Sequence, residues 1–242
     1  MEDEYAWPRP GMSLFETNNT RDWRPNANMS WGPNWTIYQH GYAEAAKLLM
    51  RHTASGKDQD FLIYPILFTA RQAIELGLKE IILCGNRLLD RDDPYPISHD
   101  LCRIWKIAKA LLADAEALHH PGASDDEATT AFEDLVMQLS AADPHSMTFR
   151  YPVDTKGRPS FVLGNSKGKV PSLINTRDLN QTLDAMFNYL TGAGAWLADI
   201  LETLDDLRAE FSPGGEPSDS YAEEFTGSPA PNSFAAWGIL VN

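Results

Sequence analysis

Between residues 36 and 211 the apolar positions mostly recur every three or four residues, the period of helices that each bury one face. The first run begins near Thr36, places Tyr38, Gly41, Tyr42, Ala45, Leu48 and Leu49 on one face, and closes at Gly56. The second, FLIYPILFTARQAIELGLKEIILCG from Phe61 to Gly85, is apolar on nearly every side and predicts a central helix. Pro65 suits its first turn, where a missing N–H costs nothing, and Gly85 suits its C-terminal stop. One charged stripe interrupts it: Arg71, Glu75 and Lys79 at i, i+4 and i+8, with Glu75 ahead of Lys79 in the favourable order.

Ser98 is the expected cap of a third helix with Asp100 in its first turn; its core face is Leu101, Ile104, Trp105, Ala108, Leu111, Leu112 and Ala115. Ser124 with Glu127 forms a capping box for a fourth, whose face is Ala131, Phe132, Leu135, Val136 and Leu139 and which Pro144 stops. The last begins at Asn175 or Thr176, and Gly192 and Gly194 predict a bend or a close backbone approach. The spacing thus predicts helices over 36–55, 64–84, 99–118, 125–142 and 177–208. Between Phe149 and Leu173 the period is lost, and FRYPV and SFVLG around DTKGRP predict a short β-hairpin or irregular excursion. The expected fold class is all-α, an up-and-down bundle of about five helices, in a domain spanning 36–211.

The two ends lack this pattern. Residues 1–35 hold four tryptophans (Trp7, Trp23, Trp31, Trp35) among Pro, Asn and Arg, which predicts an extended arm packing over the core. Residues 212–242 are rich in Pro, Gly, Ser and acids and predict a disordered tail, apart from an apolar end, FAAWGILVN.

Composition narrows the function classes. A net charge of −14 argues against general binding to polyanions. Yet Arg150, Lys156, Arg158, Lys167 and Lys169 face only one acid, Asp154, so a basic island interrupts an acidic chain. No apolar run appears long enough to span a bilayer and MEDEYAWPRP has no apolar signal core, so a cytoplasmic protein with no membrane partner is expected. Two cysteines, Cys84 and Cys102, give no disulfide framework. GNSKGKV falls one residue short of a phosphate-binding loop and leads into Pro171 rather than a helix. His119 and His120 are adjacent, so they point in different directions on a helix; neither a metal nor another cofactor is expected.

RQAIELGLKEII, SHDLCRIW and the DPHSMTFRYP stretch from Asp143 to Pro152 together resemble HEPN-type helical bundles of bacterial toxin–antitoxin and phage-defence systems. More closely, they are similar to a family of uncharacterised bacterial proteins that joins these three segments. The resemblance covers roughly residues 35–205. It implies a homodimeric bundle that binds RNA or a nucleotide, and in active members a metal-independent ribonuclease. There an Arg and a His separated by four to six intervening residues converge; His handles the proton of the attacking 2′-hydroxyl and Arg offsets charge at phosphorus. No arginine here precedes a histidine at that spacing.

The candidate catalytic residues are His99, His145 and Arg150, and the candidate substrate-binding residues are Arg71, Glu75, Lys79, Arg103, Tyr151, Lys156 and Arg158. A helix start near His99 is expected to offer free N–H groups to an anion. The competing expectation is structural: Arg71 and Glu75 form a buried ion pair, and Arg150 reaches back to Glu75 to clamp the loop. With it goes a second function class, a non-catalytic protein–protein interaction module gripping a partner through the N-terminal arm and the C-terminal tail.

Overall fold

The computed structural model describes residues 7–15, 24, 26–30, 32, 34–119, 126–164 and 169–210. Five helices follow one another: α1 (Trp35–Thr53), α2 (Gln59–Leu88), α3 (Leu101–His119), α4 (Asp126–Ala142) and α5 (Thr176–Glu210). No β-ladder occurs among the described residues, so the all-α class holds. Central α2 packs against α1, α3 and α5, and α4 closes the bundle against α3 and α5. Trp7, Leu14 and Phe15 of the N-terminal segment are exposed. Trp23, Trp31, Ser124 of the expected capping box and the tail from residue 211 lie outside the described residues.

The core is what the helical spacing of α3 demands; of the face expected for α4, Phe132 and Val136 are buried and Leu135 and Leu139 half-buried, whereas Ala131 is exposed. All seven expected α3 positions are buried, from Leu101 to Ala115. Trp105 stacks edge-on to Phe132 of α4 at 4.9 Å, and Phe132 lies flat on Tyr189 of α5 at 4.3 Å. α1 departs from expectation. It buries Gln39, Ala43, Ala46, Met50 and Thr53; of the expected face Tyr42 and Leu49 are half-buried against the core, while Tyr38, Gly41 and Leu48 are exposed. The reason is close approach: a Cβ on Gly77 of α2 would sit 3.5 Å from Gln39 Cγ and 3.2 Å from Leu190 Cδ1. Small Ala43 and Ala46 suit that approach better than the bulkier neighbouring stripe.

α2 also begins earlier and ends later than expected. Pro65 sits in its second turn, where it leaves only the carbonyl of Phe61 without a helical N–H, at the exposed start of the helix. Gly85 is no stop: the helix runs on to Leu88, and a Cβ at Gly85 would come within 3.0 Å of Leu111 Cβ. It is a point of close approach to α3. α2 is also the one helix among those described that is long and apolar enough to cross a membrane, which corrects the expectation of no such run. Here it forms the core of the bundle and carries buried charges.

α3 starts at Leu101, with Asp100 rather than Ser98 as its cap; Asp100 Oδ1 accepts the N–H groups of Cys102 and Arg103 at 3.0 and 3.2 Å. α5 is unbroken through Gly192 and Gly194, and nothing approaches either glycine within 4 Å of a built Cβ. In place of a hairpin, the excursion after Phe149 has two isolated bridges, Val153 with Pro159 and Leu163 with Val170. Phe149 and Val170 anchor it on Leu67 of α2 in a second small apolar cluster.

The two glycine environments predict opposite signs. Gly85→Val should destabilise the protein by ~1–3 kcal/mol, because Leu111 Cβ is tied to its backbone and has little room to retreat. Gly192→Ala should stabilise it by ~0.5–1 kcal/mol through helix propensity alone. Urea unfolding of both variants checks the pair; a Gly85→Val variant no less stable than the parent would mean the α2–α3 approach is not tight.

Candidate functional site

The charged stripe of α2 is interior. Arg71 is 0 % exposed, Glu75 1 % and Lys79 7 %. A buried charge persists only when paired and hydrogen-bonded, and each of these is. Glu75 Oε2 accepts Arg71 Nη1 at 3.0 Å, and Glu75 Oε1 accepts Lys79 Nζ at 2.8 Å. Arg71 then reaches two segments far along the chain. Nη2 donates to the His99 carbonyl at 2.6 Å, and Nε donates to the Asp143 carbonyl at 3.2 Å.

Asp143 completes the charge balance. Its Oδ2 also lies 3.2 Å from Arg71 Nε, but makes no hydrogen bond of its own, so the contact is one of charge. Its Oδ1 accepts the N–H groups of Met147 and Thr148 at 2.8 and 2.9 Å, holding the turn in which Ser146 takes φ 58°. Two cations and two carboxylates are therefore buried together, with no net charge. The residues expected to bind substrate, Arg71, Glu75 and Lys79, are instead fully engaged with the protein.

Arg150 does not reach Glu75. Its guanidinium lies over the rings of Phe68 and Tyr151, 5.6 and 5.4 Å from their centroids, and its hydrogen bond to the Ser146 carbonyl is long, 3.5 Å. Asp143, seven residues earlier, is the clamp. Its signal was available: Arg71, Glu75 and Lys79 sum to +1, so burying the stripe demands a second acid.

His99 sits at the edge of this network. Its Nδ1 lies 2.9 Å from Glu75 Oε1, while its side chain is 66 % exposed. Burial alone would raise the Glu75 carboxyl, but the hydrogen bonds and charges of Lys79 and then His99 outweigh it, holding the group below its ordinary 4.5. Facing an ionised carboxylate, Nδ1 carries the proton of the neutral imidazole, whose lone pair is then on Nε2. His99 and His145 line one cavity of about 630 Å³, between the residues leading into α3 and the end of α4; Cys102 and Ser140 also line it. The N-terminus of α3 offers no anion site at its first free N–H groups, because the carboxylate of Asp100 already occupies them.

The remaining candidates are scattered. Arg103 is exposed and does not line the cavity. Arg158 is paired with Asp154, whose carboxyl is held below its usual range by the backbone N–H and then the side chain of Arg158. Lys156 is exposed on the same turn, Tyr151 is half-exposed beneath Arg150, and Lys167 lies outside the described residues. Among the described residues no group of three or more His, Cys, Asp or Glu is placed to hold a metal ion. Comparison with family models, with curated proteins and with solved structures returned no match.

Removing one member of the buried set leaves the others unbalanced. Arg71→Met should cost ~3–5 kcal/mol in chemical denaturation. The Glu75 contribution has a defined pH window. Its folded value is depressed, so the stabilisation is complete above about 4.5 and is lost as the pH falls through the folded value. The stability difference between wild type and Glu75→Gln should shrink below pH 4.5; a difference that does not vary with pH would show that Glu75 is not ionised in the folded protein.

Proposed function

We propose that the protein binds RNA or a nucleotide and acts as a metal-independent ribonuclease of a bacterial defence or stress system, with the cavity between His99 and His145 as the seat of chemistry. The observation that carries this reading is the 2.9 Å contact of His99 Nδ1 with the buried Glu75 carboxylate. It fixes the tautomer whose Nε2 can take a proton, on an imidazole that solvent reaches. In the reaction the 2′-oxygen attacks the adjacent phosphorus and the bond to the 5′-oxygen breaks. His99 takes the proton of the 2′-hydroxyl, and His145 delivers one to the departing 5′-oxygen. The products are a 2′,3′-cyclic phosphate and a 5′-hydroxyl. Two imidazoles suffice for this, so the scheme does not need the missing Arg-to-His spacing. RNA as substrate, and a homodimer of the 27.0 kDa chain that light scattering would weigh directly, come from the resemblance to HEPN-type bundles.

The second reading, a non-catalytic interaction module, draws on the complete pairing of Arg71 and on the exposed Trp7, Leu14 and Phe15 of the N-terminal segment. Cleavage of the dinucleotide uridylyl-adenosine separates the two. Under the first reading the purified protein cleaves it equally well with and without a chelator, and His99→Ala or His145→Ala slows cleavage by about 10²–10⁴-fold. Cleavage that is absent, or that survives in His99→Ala, leaves the interaction module as the account of this protein.

A further inference from the structure

We propose that the face formed by the first turns of α2 and the excursion after Phe149 is a stacking platform for single-stranded RNA. This rests on the RNA reading above. Three aromatic side chains stand in solvent there: Phe61 is 77 % exposed, Tyr64 44 % and Tyr151 46 %. Phe61 lies three residues before Tyr64, on the same side of α2. Tyr64 lies 6.2 Å from Phe161, tilted by 32°, and the Arg150 guanidinium spans the rings of Phe68 and Tyr151.

A soluble bundle gains nothing from leaving three rings wet, and Arg150 forms no ion pair with a carboxylate among the described residues. Aromatic faces beside an uncompensated cation match a strand that presents bases and phosphates alternately. Exposed Lys156 and Lys169 extend the positive field, whereas Arg158 is neutralised by Asp154. This charge complementarity favours RNA over an apolar protein segment, which would leave Arg150 buried and unpaired. A duplex keeps its bases stacked inside, so the rings select single strands. The platform also leads to the cavity: Arg150 follows His145 by five residues, which the backbone can span over at most roughly 18 Å.

The test is fluorescence anisotropy with a labelled single-stranded oligouridylate of about twelve nucleotides, in a His99→Ala/His145→Ala background so that cleavage plays no part. Tyr64→Ala and Tyr151→Ala should each weaken binding by about tenfold or more while the far-ultraviolet circular dichroism stays that of the parent. Arg150→Ala should lower the slope of log affinity against log salt by about 0.7. Unchanged affinity in both tyrosine variants would overturn the platform, as would equal binding to inorganic polyphosphate or no binding of the oligonucleotide by the parent. Dinucleotide cleavage by the wild type reports the cavity alone, so failure here is distinct from failure of the ribonuclease reading.

Discussion

A guanidinium with no surface in water must find every partner inside the protein, and Arg71 finds its partners on three segments. Glu75 belongs to its own helix, the His99 carbonyl to the approach of α3, and Asp143 to the turn after α4. Those two distant segments have no ladder or disulfide to join them to α2. The buried cation takes that part. Its cost is the desolvation of two cations and two carboxylates, which is offset only because the four charges cancel and are hydrogen-bonded at 2.6–3.2 Å.

The same network places the candidate chemistry. Arg71 holds His99 by its main chain and Glu75 holds it by its ring, so the imidazole is oriented at both ends while its remaining surface is wet. Asp143 fixes the turn that carries His145 to the same cavity. Structure and proposed function are thus not alternatives at Arg71, Glu75 and Lys79. These residues lie behind the cavity and do not line it.

Helix number and most core faces were legible in the sequence because period and burial coincide in α3 and, apart from exposed Ala131, in α4. They diverged in α1, where the residue against Gly77 is polar Gln39 and the buried stripe continues through Ala43, Ala46 and Met50. Gly85 differs from its expected role for a related reason: a helical glycine marks either an end or a crossing, and only the partner helix decides which. In the site, His99 and the i, i+4, i+8 stripe were visible, but the partner of the loop was not. Arg150 stands out in the sequence as the basic residue of FRYP, while Asp143 has the form of an ordinary helix-stopping Asp-Pro. Counting the charge of the stripe would have called for an acid, although nothing local says which of the many acids comes from so far along the chain.

The coupling between Arg71 and Asp143 tests this account most directly. A double-mutant cycle with Arg71→Met and Asp143→Leu, measured by urea unfolding at neutral pH, cancels the loss of the Met147 and Thr148 contacts that Asp143 also makes. If the buried pair ties the turn to α2, each single variant leaves a charge stranded, and the double variant is more stable than the sum of the two losses by ~2 kcal/mol or more. Additive losses would contradict it, and would mean that the turn is held by its own backbone rather than by Arg71.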